Sequence, residues 1–139
     1  MNGNAADVVV VSGHFARAQK NPYIAFEYND SHLLTAVKKL TGRDVVWNQS
    51  FQLKPLREPN ELFAQAFAKS LLQDQFIGET GVVNLKDLGL GQNRVELALV
   101  DKAGLDQGKV VLDIHIRADN NIRQGRGEEE DEESSGGSK

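Results

Sequence analysis

Short apolar runs separated by Gly, Asn and Asp constrain the fold of this 139-residue chain more than any other feature. Eight runs have the β-branched or alternating composition of strands, and convincing helical periodicity is scarce. They cover residues 7–11, 23–28, 33–38, 45–53, 61–68, 77–84, 94–100 and 109–116. This spacing predicts an all-β fold, an eight-stranded antiparallel β-sandwich.

Alternation within the runs assigns side chains to faces. Trp47, Phe51 and Leu53 share one side of the fourth predicted strand, while the polar residues between them share the other. Ile24 and Tyr28 likewise share one face of the second. The run at residues 61–68 is ambiguous, because it is rich in good helix formers and fits a helix as well as a strand.

The charges divide the chain near residue 127. Residues 1–126 carry 15 basic and 14 acidic side chains, whereas residues 128–133 are six consecutive acids. We therefore expect an N-terminal extension (1–6), a sandwich domain (7–117) and a disordered acidic tail (118–139). The tail is most simply solubilising. The alternative is that it folds back on the basic strands and competes with anionic ligands.

Several classes of function lack support in the sequence. Cysteine is absent, which excludes disulfides and thiolate metal sites, and no apolar run approaches the roughly 20 residues of a membrane span. The N-terminus does not resemble a signal peptide, so a cytoplasmic protein is expected. The near-neutral body has no basic stripe interleaved with aromatics, so no nucleic-acid partner is expected.

Catalysis also lacks support. No Ser-His-Asp pattern, nucleophile elbow or paired-carboxylate motif stands out, and Gly89-Leu90-Gly91 lacks the following helix of a phosphate-binding loop. His14, His32 and His115 are scattered without metal-ligand spacing, which favours ordinary surface histidines. The sequence therefore predicts no enzyme, no cofactor and no metal site.

Four strings follow one another along the predicted strands. They are Asn21-Pro22-Tyr23, Trp47-Asn48-Gln49-Ser50-Phe51, Phe76-Ile77-Gly78 and Leu85-Lys86-Asp87-Leu88. In this order and spacing, residues 7–116 resemble the C2 domain, the calcium- and phospholipid-binding β-sandwich first described in protein kinase C. The resemblance implies a non-catalytic binding module. The first and last strands suggest the circular permutation called type II topology.

The resemblance also implies a calcium site, which the family builds from about five aspartates in two loops because Ca²⁺ needs six to eight oxygen ligands. The first loop here, residues 14–21, contains no carboxylate, and Asn21 replaces an aspartate. In the second loop Ala68 and Ser70 stand at two further aspartate positions, and only Asp74 remains.

Three cations in or beside these loops would further repel Ca²⁺. They are Arg17, Lys20 and Lys69. The sequence therefore predicts a degenerate site and a calcium-independent module.

A basic set flanks the strands around Trp47. It consists of Lys38, Lys39, Arg43, Lys54 and Arg57. In some C2 domains the corresponding strands bind phosphoinositide headgroups or other anions, so these residues form the candidate lipid or anion site, with Lys38 and Lys54 as the best pair. A solvated charged face explains them equally well, because alternation lets only part of the set share one face.

Leu71 and Leu72 occupy a predicted loop tip beside Lys69. Exposed apolar tips in this family insert into membranes, and neighbouring basic residues help at an anionic leaflet. The favoured alternative is that both leucines pack inward.

The expected partner is an anionic phospholipid headgroup, contacted peripherally. The alternative is a protein–protein interaction or scaffold module without lipid binding.

Overall fold

The computed structural model describes residues 4–118, which form antiparallel sheets around one core. Nine strands are present in these residues: Asn4–Lys20 (β1), Pro22–Tyr28 (β2), Ser31–Leu34 (β3), Thr41–Leu53 (β4), Glu61–Ala68 (β5), Gln75–Glu79 (β6), Val83–Asn84 (β7), Gly91–Val100 (β8) and Asp106–Ala118 (β9). The order is β3-β2-β5-β6-β8-β9-β1-β4, with the two-residue β7 beside β5. Because a single residue pair, Glu79 with Val100, joins β6 to β8, the path divides into two four-stranded halves.

The core lies between these halves and is filled by alternate side chains of each. Ile24 and Phe26 from one half and Val8 and Leu112 from the other are fully buried. The predicted antiparallel β-sandwich and the predicted faces are therefore confirmed, with the two-residue β7 in addition to the eight strands of the path. Trp47 is 7% exposed, and its indole N–H donates to the carbonyl of Ala36 at 2.8 Å.

Three predicted strands differ in extent from the structure. β1 begins at Asn4, three residues before the predicted start. The prediction of a strand over residues 33–38 is wrong beyond Leu34, where β3 ends. Side chains of β4 bind the backbone N–H and carbonyl of Ala36. Ala36 donates its N–H to Gln49 Oε1 and accepts the indole N–H of Trp47.

The strand predicted at residues 77–84 is interrupted. The hydroxyl of Thr80 accepts the Ala64 N–H at 2.9 Å, so a side chain takes the place of a ladder partner between β6 and β7. A single 3₁₀ turn, Leu85–Asp87, follows, with Asn84 as its N-cap. The ambiguous run at residues 61–68 is a strand, because pairing with β2 and β6 overrides its helix propensity.

Two groups of connections mark opposite ends of the sandwich. The loop end comprises Asn21 and residues 35–40, 69–74 and 101–105. The far end comprises residues 29–30, 54–60 and 80–90, together with Asn4 and Ala118. Within residues 4–118 no helix has the length and apolar character needed to cross a membrane.

Candidate functional site

The first connection at the loop end is mostly strand, so the loop predicted at residues 14–21 is wrong in extent. β1 pairs with β4 at His14 and again at Gln19, and residues 15–18 bulge opposite Arg43. The close approach of β9 depends on Gly108, which has φ of +115°. A Cβ there would lie 1.9 Å from the carbonyl oxygen of His14.

Asn21 follows the bulge and connects three segments of the loop end. Its N–H donates to Leu40 O at 2.8 Å, and its carbonyl accepts the Lys69 N–H at 2.9 Å. Its φ of +53° lies in the left-handed region, which asparagine tolerates better than most residues. Asn21 thus has a structural role at the position where the resemblance implies a calcium ligand.

Asp74, the remaining carboxylate of the implied calcium loops, is engaged within its own loop. Its Oδ2 accepts the Tyr23 hydroxyl at 2.5 Å, and its Oδ1 accepts the Ser70 N–H at 3.1 Å. The bond from Tyr23 and then that from Ser70 hold the pKa of Asp74 below its usual value. Burial, followed by the bond to Asp74, raises the pKa of Tyr23 to about 12.

Lys69 Nζ lies 3.7 Å from Asp74 Oδ2, which leaves this carboxylate surrounded by donors. Ala68 is the last residue of β5 and is buried, so this position offers no side-chain oxygen to a metal ion. Over residues 4–118 no group of three or more His, Asp or Glu side chains is placed to hold a metal ion.

Leu71 and Leu72 point into solvent at the tip of this loop, and the prediction that they pack inward is wrong. Both side chains are fully exposed. The contacts of Asp74 with Tyr23 and Ser70 hold the base of the loop, so the tip projects beyond the sheet. Leu105 in the neighbouring β8–β9 turn is also largely exposed.

Several cations lie at the same end of the sandwich as this apolar tip. Lys102, in the same turn as Leu105, lies with Nζ 5.5 Å from the ring centroid of Phe76. The exposed cations at this end include Arg17, Lys20, Lys39, Arg43, Lys69 and Lys102. Lys102 and Leu105 could not be identified from the sequence, because their turn carries none of the quoted strings. Gly104, which has a positive φ in this turn, was the available signal.

The basic set predicted around Trp47 is divided between the two ends. Lys38 donates its N–H to Pro22 O at the start of β2, whereas Arg57 bonds through its backbone to the Tyr28 hydroxyl at the end of β2. At about 3.3 Å per residue these anchors lie roughly 20 Å apart. Lys54 lies three residues before Arg57, so Lys38 and Lys54 are not brought together as predicted.

Lys39 and Arg43 stay with Lys38 at the loop end, where Arg43 Nε donates to Phe15 O at 3.2 Å. The loop end therefore collects most of the predicted cations.

A Ser-His-Asp chain that the sequence did not reveal crosses β1 and β4. Ser12 Oγ lies 2.9 Å from His14 Nε2, and His14 Nδ1 lies 3.0 Å from Asp44 Oδ1. Ser12 is 6% exposed while the Asp44 side chain is 79% exposed. A hydrolytic triad has the reverse arrangement, with an accessible nucleophile and a buried acid. We interpret the chain as a polar contact between strands.

Comparison with known proteins gives structural matches alone. No protein-family model matches the sequence, and no curated protein matches it. A single C2 domain of plant Extended Synaptotagmin 1 superposes with a TM-score of 0.73 at 17% identity, covering 85% of this chain and 97% of that one.

Two larger proteins contain a similar domain. The structure of two C2 domains of Extended-Synaptotagmin 2 has a TM-score of 0.66 at 16% identity and covers 85% of this chain and 42% of that one. Human GIVD cytosolic phospholipase A2 has a TM-score of 0.65 at 12% identity, with 86% and 16% coverage. Sequence identities as low as these establish a shared fold and nothing about function. The resemblance is confirmed at the level of structure: residues 4–118 have the fold of a C2 domain.

Proposed function

We propose that this chain is a non-catalytic, calcium-independent C2-type module that docks to anionic phospholipid membranes through its loop end. The observation that carries the proposal is the full exposure of Leu71 and Leu72 on a loop whose base is held by Asp74. Exposed leucines with cations at the same end of the domain match the interfacial region of a bilayer, where acyl chains lie beneath anionic headgroups.

The energies suffice for reversible docking. Fully burying a leucine contributes about 1.5–3 kcal/mol, so the two tip leucines together would supply roughly 3–6 kcal/mol. Each cation close to an anionic leaflet adds about 1 kcal/mol. Part of this favourable energy is offset by the entropy that the protein loses when it is immobilised on the membrane. The net association should therefore be weak, and salt should weaken it further by screening the charges.

Calcium independence is supported by the state of Asp74. Its two oxygens accept hydrogen bonds from Tyr23 and Ser70, and Lys69 lies beside it. In a calcium-loaded loop the ion supplies positive charge that attracts anionic lipid. Here Arg17, Lys20 and Lys69 would supply that charge themselves.

Co-sedimentation of the full chain with vesicles tests the proposal. We expect binding to phosphatidylserine-containing vesicles in EGTA, unchanged by Ca²⁺, and little binding to phosphatidylcholine alone. Phosphoinositide-containing vesicles show whether the loop end prefers a higher headgroup charge.

The Leu71→Asp, Leu72→Asp double variant should lose binding, because two carboxylates replace the apolar tip. Val82→Asp is the matched control, since Val82 is 60% exposed at the far end. Absence of binding to every vesicle would overturn the proposal and favour the protein-interaction module instead.

A further inference from the structure

A second cleft lies where the two halves of the sandwich separate. Glu79 and Val100 form the one residue pair that joins β6 to β8, and on the loop-end side of this pair the two strands are not bonded to each other. The cleft has a volume of about 460 Å³ and is lined by β5, β6, the end of β8 and the start of the β8–β9 turn. Its lining includes none of the exposed leucines of the proposed membrane contact.

Two aromatic rings line this cleft. Phe67 on β5 and Phe76 on β6 are paired across the strands, and both side chains point away from the core, since their neighbours Ala66 and Ile77 are buried. The ring centroids lie 5.8 Å apart and the ring planes meet at 69°. An aromatic face attracts a cation through the negative charge of its π-system, so this surface suits a cationic group.

One cation of the chain itself already lies over this surface. Lys102 Nζ is 5.5 Å from the ring centroid of Phe76. Among the lysine ion pairs of residues 4–118, none involves Lys102. Holding an exposed lysine in one position costs side-chain entropy, and the single ring contact returns little. An incoming cation can therefore displace Lys102.

Two carboxylates also line the cleft, and Glu79 is the one able to take up a cation. Both oxygens of Asp101 are engaged, because they accept two backbone N–H groups and the Gln107 amide. Glu79 Oε1 accepts the Gln65 amide at 2.7 Å, and within residues 4–118 no cation pairs with Glu79. Two carboxylates and the one ammonium of Lys102 give the lining a net charge of −1.

We propose that this cleft binds a protein partner through one arginine of the partner, whose guanidinium replaces Lys102 on Phe76 and pairs with Glu79. The aliphatic part of that side chain would pack on Val100, which is 40% exposed. Arginine suits the cleft better than lysine, because its planar guanidinium stacks on a ring and is more weakly hydrated. The net negative lining is unfavourable for an anionic leaflet, so this surface and the membrane contact take different partners.

NMR titration of the full chain with peptides tests the proposal. The probe is a pentapeptide, blocked at both termini, with a central arginine between leucines. Its control carries citrulline, which has the same shape without the charge. The ring signals of Phe67 and Phe76 should shift with the arginine peptide, and the citrulline peptide should bind at least about fivefold more weakly. Equal affinities for the two peptides, or no shift with either, would overturn the proposal.

The ring signals, rather than total binding, are the required readout. The acidic run 128–133 lies outside the described residues and can also attract an arginine peptide. Glu79→Gln should weaken the binding seen at the rings about threefold, because it removes the ion pair. Glu61→Gln is the matched control, since Glu61 is also exposed and lies at the opposite end of β5. Equal effects of the two substitutions would contradict the assigned contact.

Lys102 gives a prediction of the opposite sign. Lys102→Gln should strengthen binding of the arginine peptide about twofold, because no ammonium then competes for Phe76. Lys39→Gln changes the net charge equally at the same end of the sandwich and should have little effect. Weaker binding to Lys102→Gln, or equal effects of the two substitutions, would contradict the displacement.

A choline headgroup is also a cation that aromatic rings bind, so phosphocholine is titrated as a second probe. At the same concentration it should shift the signals of Phe67 and Phe76 less than the arginine peptide does, because its phosphate is repelled by the net negative lining. A larger shift with phosphocholine would assign the cleft to a lipid headgroup and overturn the proposed protein partner. These titrations contain no membrane, so failure of the arginine contact and failure of membrane docking are separate results.

Discussion

Strand β2 carries a tyrosine at each end, and the two tyrosines hold the two ends of the sandwich in different ways. At the loop end the Tyr23 hydroxyl donates to the charged Asp74 at 2.5 Å. At the far end the buried Tyr28 hydroxyl donates to Asn60 Oδ1 at 2.7 Å and accepts the Arg57 N–H at 2.8 Å. The first contact supports a loop whose apolar tip points outward, whereas the second supports a connection that lines an apolar cleft.

Because of this difference, the exposed apolar side chains at the two ends have different surroundings. Among residues 4–118 nothing covers Leu71 and Leu72, which are fully exposed, so they are available to an external surface. Leu90 lies in the lining of a cleft beside the buried Leu85 and Ile116. The first arrangement suits docking to an external surface, whereas the second is a recessed apolar surface at the opposite end.

The largest expected effect concerns the base of the loop end. Gly108→Ala places a Cβ against the carbonyl of His14, so we expect a loss of unfolding free energy of about 3 kcal/mol or more. Gly104 also has a positive φ, +83°, but has open space around it. Gly104→Ala should therefore cost only about 1 kcal/mol. Urea unfolding measures both, and equal losses would contradict the close packing of β9 on the bulge.

The tyrosines give the next effect. Tyr28→Phe leaves Asn60 Oδ1 and the Arg57 N–H without their buried partner, at a cost of about 1–3 kcal/mol. Tyr23→Phe removes a hydrogen bond at a half-exposed site and should cost less. The free energies of unfolding of both variants check the order. A reversed order would show that the loop end is the more tightly held.

Charge should matter at one end only. Lys20→Gln removes a loop-end cation and should weaken binding to phosphatidylserine vesicles about fivefold at low salt, the equivalent of roughly 1 kcal/mol. Arg57→Gln removes a far-end cation and should leave binding unchanged. The weakening by Lys20→Gln should shrink as salt shortens the screening length. Equal weakening by the two substitutions would indicate that the whole surface, rather than the loop end, meets the membrane.

The smallest effect is a pH dependence at Asp74. Because folding lowers the pKa of this carboxyl, its stabilising contribution is present above the unfolded value of 3.8 and is lost as the pH falls through the lower folded value. The melting-temperature gap between the natural chain and Asp74→Asn should hold steady above about pH 5 and narrow below pH 4. Parallel melting curves down to pH 2.5 would contradict an engaged carboxylate.

Alternation of apolar residues was enough to predict the sandwich, because a half-buried strand must place every second side chain in the core. The run at residues 61–68 shows the limit of local information, since only its pairing with β2 and β6 decides between strand and helix. The end of β3 could not be predicted for the same reason. Hydrogen bonds from Trp47 and Gln49, more than ten residues away, hold the backbone of Ala36 just beyond the end of β3.

The sequence shows which residue types stand at the implied site positions, but it does not show how they are arranged in space. That aspartate is missing at the implied calcium positions can be read from Asn21, Ala68 and Ser70, whereas the hydrogen bond that engages Asp74 depends on Tyr23, 51 residues away. Lys38 and Lys54 were grouped because they flank the same strand, yet the strand's own length separates them. Distance along a sheet is set by topology, which a local pattern does not contain.

The most direct test of membrane docking through the loop end is a fluorescent label at its tip. Leu71→Cys and Val82→Cys each provide one attachment site for an environment-sensitive fluorophore, because the chain has no other cysteine. With phosphatidylserine vesicles in EGTA, the label at residue 71 should brighten and shift to the blue, and the label at residue 82 should not change. A label at residue 71 that stays solvent-like while the protein binds, or that responds only after Ca²⁺ is added, would contradict calcium-independent docking through the loop end.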